Sequence, residues 1–190
     1  MVDFEEDIKN CVQILLAGGT ILYPTDTVWG LGCDALNPDA VAKVYALKQR
    51  PAEKSMIVLL ADARDILQYV AAPPPDIIAI VEGFDRPTTV IYDNALELAD
   101  NVVNDDGSVA IRVTTDPFCK ALIKRLRRPL VSTSANISGA HTPVLYSGIS
   151  QTIISGADYV VRYRQDDEVI RQPSRMVRMT DEGDMVLLRG

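Results

Sequence analysis

The sequence has little of what several common functions need. It contains one histidine, His141, so neither a histidine-based triad nor a metal cluster can be assembled by the usual means. Its three cysteines, Cys11, Cys33 and Cys119, lie far apart and form no C-x-x-C pair, which indicates neither a disulfide framework nor a zinc site. A P-loop pattern is also missing. We expect three reduced and mostly buried thiols in a cytoplasmic protein.

Long apolar runs and an excess of positive charge are also missing. No run approaches the roughly 20 residues that a membrane helix needs, and the acidic start of the chain predicts no secretory signal. The net charge is −7, which argues against an autonomous nucleic-acid-binding protein. Any contact with RNA would need a local patch, although an acidic chain can still hold a basic pocket for an anionic substrate.

The 190 residues are 47% hydrophobic, which suits one domain with a substantial core, and we take residues 1–190 as that domain. Helical and strand patterns interleave, which predicts an α/β fold of α+β-like character with helices flanking a mixed sheet. Residues 76–82 fit either a helix or a strand. The predicted helices are 4–17, 38–48, 62–70 and 117–127, and the predicted strands are 20–23, 56–60, 88–92, 109–113, 130–133, 159–163, 174–179 and 185–189.

Residues 23–32, Y-P-T-D-T-V-W-G-L-G, place hydroxyls and a carboxylate directly after a predicted buried strand. Polar groups at the end of a strand are typical of a functional loop. A turn capped by Asp26 and Thr27 explains the pattern as well. The two glycines permit a close backbone approach, but without a third glycine they make no dinucleotide-binding fingerprint.

Residues 48–54, K-Q-R-P-A-E-K, carry several cations where a helix is predicted to end. Pro51 favours an extended Arg50, and residues two apart in an extended stretch point to the same side. Lys48 and Arg50 could therefore face one anion, with Lys54 nearby. The same cations would also complement the negative end of the helix dipole, and by themselves they favour that explanation.

Residues 129–139, P-L-V-S-T-S-A-N-I-S-G, run from an apolar strand into a loop with several hydroxyls and one amide. Such a loop offers neutral donors and backbone amides for a nucleotide or phosphate, whereas turn capping would need fewer of them. The tail, around Ser174 and Arg189, reads by itself as two short strands with charged edges.

Together these stretches resemble the YrdC-like family of threonylcarbamoyl-AMP synthases. The family pattern Y-P-T-D/E-T-x-x-G-L-G is similar to residues 23–32, its K-x-R matches Lys48 and Arg50, and its S-x-N matches Ser134 and Asn136. Any one motif is weak, but the combination is specific. The resemblance runs from about residue 8 to the C-terminus. It implies a twisted sheet around an open, positively charged groove.

The resemblance also implies the roles of individual residues. The nucleotide-binding and catalytic set would be Lys48, Arg50, Ser134 and Asn136, with Lys54 and Arg189 near the ATP phosphates. The threonine-binding set would be Thr25, Thr27, Arg112, Ser132 and Ser174. No protein-bound metal is implied, and Mg²⁺ would accompany ATP. Three local departures from the family pattern, at residues 86–89, Ser55 and Arg175, put phosphate and threonine contacts in question but not the class.

The activity implied is the joining of L-threonine, bicarbonate and ATP into L-threonylcarbamoyladenylate and pyrophosphate, the first step of a tRNA modification. A separate tRNA threonylcarbamoyl transferase would take the product. Two alternatives stay open: a double-stranded RNA-binding or translation-associated factor, with at most weak RNA contact given the charge, and a YciO-like enzyme acting on tRNA.

Overall fold

The computed structural model describes residues 4–49, 56–180 and 184–190. Local capping explains where its two longest interior helices begin. The Asn37 side chain accepts hydrogen bonds from two amides of one helix, and Asp116 accepts from Cys119 N at the start of the other, each with a proline at the first position. The α-helices of the described residues are α1 Glu5–Leu16, α2 Pro38–Lys48, α3 Ile66–Tyr69, α4 Ile77–Glu82, α5 Pro117–Leu126 and α6 Gln151–Gly156.

The strands of the described residues form one mixed sheet in the order β7-β1-β2-β6-β3-β5-β4-β8-β9. Neighbours β1 and β7, β3 and β5, and β4 and β8 are parallel, and the other neighbouring pairs are antiparallel. The predicted fold class is therefore confirmed. The strands are β1 Ile21–Tyr23, β2 Gly30–Gly32, β3 Ile57–Leu60, β4 Thr88–Tyr92, β5 Val109–Val113, β6 Leu130–Ser134, β7 Tyr159–Val160, β8 Arg175–Met179 and β9 Met185–Arg189.

Two apolar clusters pack on the two faces of this sheet. Val58 and Leu60 join the cluster under α2, α3 and α4, whereas Leu59 joins the cluster under α1, α5 and α6. This split follows from the alternation of side chains along a strand. The first cluster reaches from β2 to β8, but the second ends near β3. One face of the sheet is therefore covered by helices over only half of its width.

Leu59 and Arg112 are partners in the register of β3 and β5 and mark the edge of the covered half. Leu59 is fully buried in the second cluster, while Arg112 belongs to neither cluster. In β5, Val109 and Ile111 pack into the first cluster, so Arg112 points to the other face. The buried Arg112 thus lies at the edge of the half of this face that no described helix covers.

Most of the predicted elements are confirmed, and residues 76–82 form the helix α4. Residues 62–70 divide into a single 3₁₀ turn, Ala63–Asp65, followed by α3. One strand and one α-helix of the described residues escaped prediction: β2, whose glycines have low strand propensity, and the six-residue α6. Among the described residues, every helix is too short or too polar to reach across a bilayer.

The three thiols are buried and unpaired, as predicted. Burial raises the pKa of each thiol above its usual value, and the carboxylates Asp7, Asp34 and Asp116 add to the effect at Cys11, Cys33 and Cys119 respectively. Because the thiolate is the reactive form, these cysteines are inert packing residues.

Candidate functional site

A cleft of about 200 Å³ lies at the boundary between the two halves of this face, lined from β2, β3 and β6 in the covered half and from β5, β8 and β9 in the uncovered half. Its volume is below the roughly 300 Å³ at which pockets for drug-sized ligands begin, so this part of the site suits a molecule smaller than a nucleotide. Among the described residues, its lining carries two arginines and no carboxylate, which matches the predicted basic groove. Residues predicted for the site that line the cleft are Thr27, Arg112, Ser132, Ser134, Ser174 and Arg189.

The loop between β1 and β2 brings Thr27 to the cleft in a fixed hydrogen-bonding state. The Thr25 hydroxyl donates to Val28 O at 2.7 Å, and its oxygen also accepts from Thr27 N at 2.9 Å. Its one proton is then used, so the Thr27 hydroxyl must donate to Thr25 Oγ1, 3.0 Å away. Thr27 therefore offers the cleft an acceptor, suited to an ammonium or hydroxyl donor. Thr25 supports it from behind and does not line the cleft.

The glycines at the end of the same motif serve packing. A Cβ at Gly32 would lie 2.1 Å from Val131 O and 2.9 Å from the Tyr23 ring. Tyr23 is fully buried, donates to Val131 O at 3.3 Å, and its pKa is raised by burial, so the phenol stays protonated. A Cβ at Gly30 would lie 3.1 Å from Ser132 Oγ. The G-L-G sequence thus lets β2 approach β6 and Tyr23 closely.

Arg112 forms the floor of the cleft. The residue is 3% exposed, and its Nη2 lies 3.3 Å from Asp26 Oδ1. Its Nε is buried and has no hydrogen-bond partner within the described residues. A guanidinium has five donors in a fixed fork, and a buried donor without an acceptor is costly. An arginine held in this state is suited to a planar anion such as a carboxylate.

The C-terminal strands close the far side of the cleft. Ser174 is 2% exposed, and its hydroxyl shares a 2.8 Å hydrogen bond with Thr89. Arg189 Nη2 donates to Ser174 O at 3.0 Å, so β9 fixes the chain that enters β8. Arg189 thereby lies at the cleft and holds the backbone that carries Ser174, and its predicted place near the ATP phosphates stays a prediction.

Lys48 lies beneath the loop that follows β6 and does not line the cleft. It is 1% exposed, and its ammonium donates to the carbonyls of Ser134 and of Asn136, the latter at 2.7 Å. The Lys48 carbonyl in turn accepts from Ser138 N at 2.8 Å. The end of α2 therefore holds this loop in two places. The ammonium was predicted to contact ATP, and here it supports the loop that carries Ser134 and Asn136.

Asn136 is held by its amide nitrogen, which donates to Ala140 O at 2.8 Å and Ile137 O at 3.0 Å. Its Oδ1 is buried and has no partner among the residues that the structure describes. One acceptor in this loop is therefore left for a donor from outside, such as an amino group of a nucleotide base.

Arg50, Lys54 and Ser55 lie outside the described residues, so the predictions made for them stay predictions. Arg175 is described and points away from the cleft. Its Nε donates to Thr88 Oγ1 at 3.2 Å, and its guanidinium lies over the Phe84 ring at 5.5 Å. The departure at Arg175 therefore affects the far side of the sheet around Thr88, whereas the departure at 86–89 includes Thr89, whose hydroxyl shares a hydrogen bond with Ser174 at the cleft.

Sequence reasoning missed several residues of the site. Asp26 was counted in a candidate functional loop or as a turn cap but was given no site role, yet it lies beside Arg112. Its partners on β5 are far away in the chain, so no local pattern indicates the pairing. Further lining residues with no motif of their own are Trp29, Met56, Thr142, Pro173 and Met176. Within residues 4–49, 56–180 and 184–190, no group of three or more acidic, histidine or cysteine side chains could hold a metal ion.

Comparison with known sequences adds independent evidence. The model of the Sua5/YciO/YrdC family, described as "Telomere recombination", matches residues 13–190. A curated relative in Coxiella burnetii (strain RSA 331 / Henzerling II), named threonylcarbamoyl-AMP synthase, is 34% identical over 140 residues. That alignment covers 73% of this chain and 75% of the relative.

Solved structures agree on the fold. P. abyssi Sua5 complexed with L-threonine matches 100% of this chain with a TM-score of 0.85 and 22% identity, and this chain spans 55% of that protein. E. coli YciO matches 97% of this chain with a TM-score of 0.82 and 21% identity, over 88% of its own length. At these identities the two likenesses show the fold alone.

Proposed function

The chain belongs to the Sua5/YciO/YrdC family, and from that premise we propose that it is a threonylcarbamoyl-AMP synthase. It would join L-threonine, bicarbonate and ATP into L-threonylcarbamoyladenylate and pyrophosphate. The observation that carries the proposal is the cleft itself. It pairs a buried arginine that has an unused donor with a hydroxyl acceptor at Thr27, which is what an amino acid requires.

In this proposal Arg112 binds the threonine carboxylate, and Thr27 accepts a hydrogen bond from the amine or hydroxyl. Ser174, fixed by Thr89 and Arg189, narrows the opposite wall. The cleft is too small for ATP as well, so the nucleotide would lie beside it, along the loop at Ser134 and Asn136. Arg50 and Lys54 remain the predicted phosphate contacts.

The chemistry requires positioning more than a nucleophilic side chain. The threonine amine and bicarbonate give a carbamate with loss of water. A carbamate oxygen then attacks the α-phosphorus of ATP, and the bond to pyrophosphate breaks. Such a transfer is favoured by alignment of the reactants and by cations beside the phosphates. The buried Lys48 ammonium adds positive charge behind the nucleotide loop.

Mg²⁺ would enter with the ATP phosphates as part of the substrate. The described lining of the cleft carries no carboxylate, so a resident magnesium site fits poorly here. Phosphate oxygens and water commonly supply most magnesium ligands when the ion travels with ATP.

The product is a mixed anhydride of a carbamic acid and AMP, an activated group that an acceptor must consume. We expect a separate tRNA threonylcarbamoyl transferase to take it, in the cytoplasm where ATP and tRNA are available. Direct contact with tRNA is expected to be weak at most, given a net charge of −7.

The test is release of pyrophosphate from MgATP and bicarbonate, with and without L-threonine. We expect release to depend on threonine, to be weaker with L-serine, and to yield a product with the mass of threonylcarbamoyladenylate. Arg125→Ala, which removes an exposed arginine paired with Glu5, is the matched control for Arg112→Ala. Folded protein that releases no pyrophosphate with threonine would contradict the proposal. Release that ignores threonine would favour a YciO-like enzyme instead.

A further inference from the structure

Asp26 lies in the loop between β1 and β2, at the acidic position of the Y-P-T-D-T sequence, and its contacts join segments that are far apart in the chain. We propose that Asp26 is a positioning residue for the amino-acid substrate, and that it acts by holding the Arg112 guanidinium at the floor of the cleft. This inference rests on the proposed function, because it assigns a role within the threonine-binding part of that site.

The Asp26 carboxylate is anchored through one oxygen and leaves the other for Arg112. Oδ2 accepts from Thr114 Oγ1 at 3.1 Å and from Thr115 N at 3.4 Å. Oδ1 lies 3.3 Å from Arg112 Nη2 and makes no hydrogen bond to any described residue. The side chain is only 9% exposed. Its orientation is therefore set by the end of β5 and does not depend on Arg112.

The anchor itself is rigid. Thr114 N donates to Leu60 O at 3.0 Å, which ties the end of β5 to β3. Thr114 Oγ1 also accepts from Asp116 N at 3.2 Å, at the start of α5. Asp26 is thus fixed to a junction of two strands and a helix, whereas the loop that carries it also supplies Thr27 to the cleft. The Asp26 segment therefore connects Arg112 and Thr27, the two groups that face the substrate, to the same rigid junction.

Arg112 needs such a partner. It is 3% exposed, and within the described residues Asp26 is the carboxylate that forms an ion pair with it. A buried guanidinium without a partner is strongly disfavoured, so removal of the carboxylate charge would drive the side chain toward water. With Asp26 on one side of the fork, the unpartnered Nε remains for a ligand. Asp26 therefore contributes orientation, not attraction, to the binding of the substrate carboxylate.

The decisive variant is Asp26→Asn, which keeps the shape and an oxygen acceptor for Thr114 and Thr115 but removes the charge. We expect the KM for L-threonine to rise about tenfold or more, while the KM for ATP changes less than about twofold. Asp26→Glu keeps the charge and should recover most of the loss. A merely structural role would not separate the two KM values in this way.

Asp34→Asn is the matched control. Asp34 is fully buried and pairs with Arg128 at 2.6 Å, but it does not line the cleft. We expect this variant to lower the melting temperature and to leave both KM values unchanged. If Asp26→Asn instead keeps the threonine KM of an active wild type, or raises both KM values equally, the inference is wrong while the proposed function stands.

If the wild type shows no threonine-dependent turnover, a measurement without substrate still tests the role of Asp26 separately from the proposed function. The Arg112 Nε–H signal, assigned in ¹⁵N-arginine-labelled protein by its loss in Arg112→Lys, reports whether the guanidinium is fixed. We expect a sharp signal that exchanges slowly with water in the wild type and a broadened or fast-exchanging one in Asp26→Asn. Equal behaviour in both proteins would show that Asp26 does not hold Arg112.

Discussion

The two halves of one face of the sheet differ in what covers them, and the difference locates the site. Over β1, β2, β6 and β3, the helices α1, α5 and α6 bury an apolar cluster. Over β5, β4, β8 and β9, no helix of the described residues covers that face, and polar side chains such as Arg112 and Ser174 are buried there. Leu59 and Arg112 are neighbours in register on the two sides of this boundary. Because the helices stop halfway across this face, the remaining strands form a surface on which a ligand can bind.

The largest expected effect belongs to the covered half. Phe118 is fully buried and makes an edge-on contact with Phe4 at 5.6 Å between ring centroids. Phe118→Ala should lower the free energy of unfolding by about 3–5 kcal/mol, because it leaves a cavity under α5. Urea unfolding measures the loss, and Leu67→Ala, at a side chain that is 55% exposed, is the control. A large change in the threonine KM of the folded variant would contradict the division between the halves.

The second prediction tests the boundary between the two halves by making the Arg112 position on β5 apolar, like its neighbour Leu59 on β3. Arg112→Leu combined with Asp26→Asn extends the apolar character of Leu59 into β5 and removes both charges of the pair. Removing both charges of a buried ion pair together leaves no uncompensated charge, which avoids the main cost of breaking the pair. We therefore expect kcat/KM for threonine to fall about 100-fold or more, with little change in the free energy of unfolding. Retained activity would show that the open half does not bind the amino acid.

Lys48→Met tests the support beneath the nucleotide loop. The change removes the donor for the carbonyls of Ser134 and Asn136, at about 1–3 kcal/mol for each carbonyl left unsatisfied. We expect the KM for ATP to rise about tenfold and the KM for threonine to stay within about twofold. Lys43→Met is the matched control, since Lys43 lies in the same helix and donates to Gly18 O at 2.7 Å. Equal effects of the two variants on ATP would contradict the assignment.

The smallest effect is expected at Thr27. Thr27→Val removes an acceptor from the cleft and keeps the shape of the side chain. The loss of one neutral hydrogen bond, about 1 kcal/mol, should raise the threonine KM about fivefold. Steady-state kinetics measure it, with Thr152→Val, on the exposed side of α6, as the control. An unchanged KM would remove Thr27 from the threonine-binding set.

Local signals in the sequence were enough for most of the fold. The helix at 38–48 was predicted with Pro38 in its first turn, and β4 and β5 were predicted with the bounds that the structure has. The strand β2 could not be read in this way, because Gly30 and Gly32 are there for a close approach to β6 that only the register reveals. Local propensity therefore failed where contacts between distant segments decide the structure.

Site residues that belong to a sequence motif were predictable, whereas contacts that the chain topology creates between distant segments were not. Thr27, Arg112 and Ser174 come together at the cleft as the resemblance implies. The contact of Asp26 with Arg112 joins two distant segments, so sequence spacing gives no hint of it. Lys48 was expected to face phosphate, but the packing of α2 against the loop after β6 turns its ammonium toward two carbonyls. The sequence identified Lys48 as a cation at the end of a helix, but only the fold shows which groups its ammonium contacts.

One measurement tests the central claim, that the open half of the sheet binds the amino acid through Arg112. L-threonine is titrated into the wild-type protein labelled with ¹⁵N-arginine while the Arg112 Nε–H signal is followed. We expect that signal to shift and saturate with threonine, and L-threoninol, which lacks the carboxylate, to leave it nearly unmoved. An Arg112 signal that stays in place while threonine demonstrably binds or turns over would contradict the account.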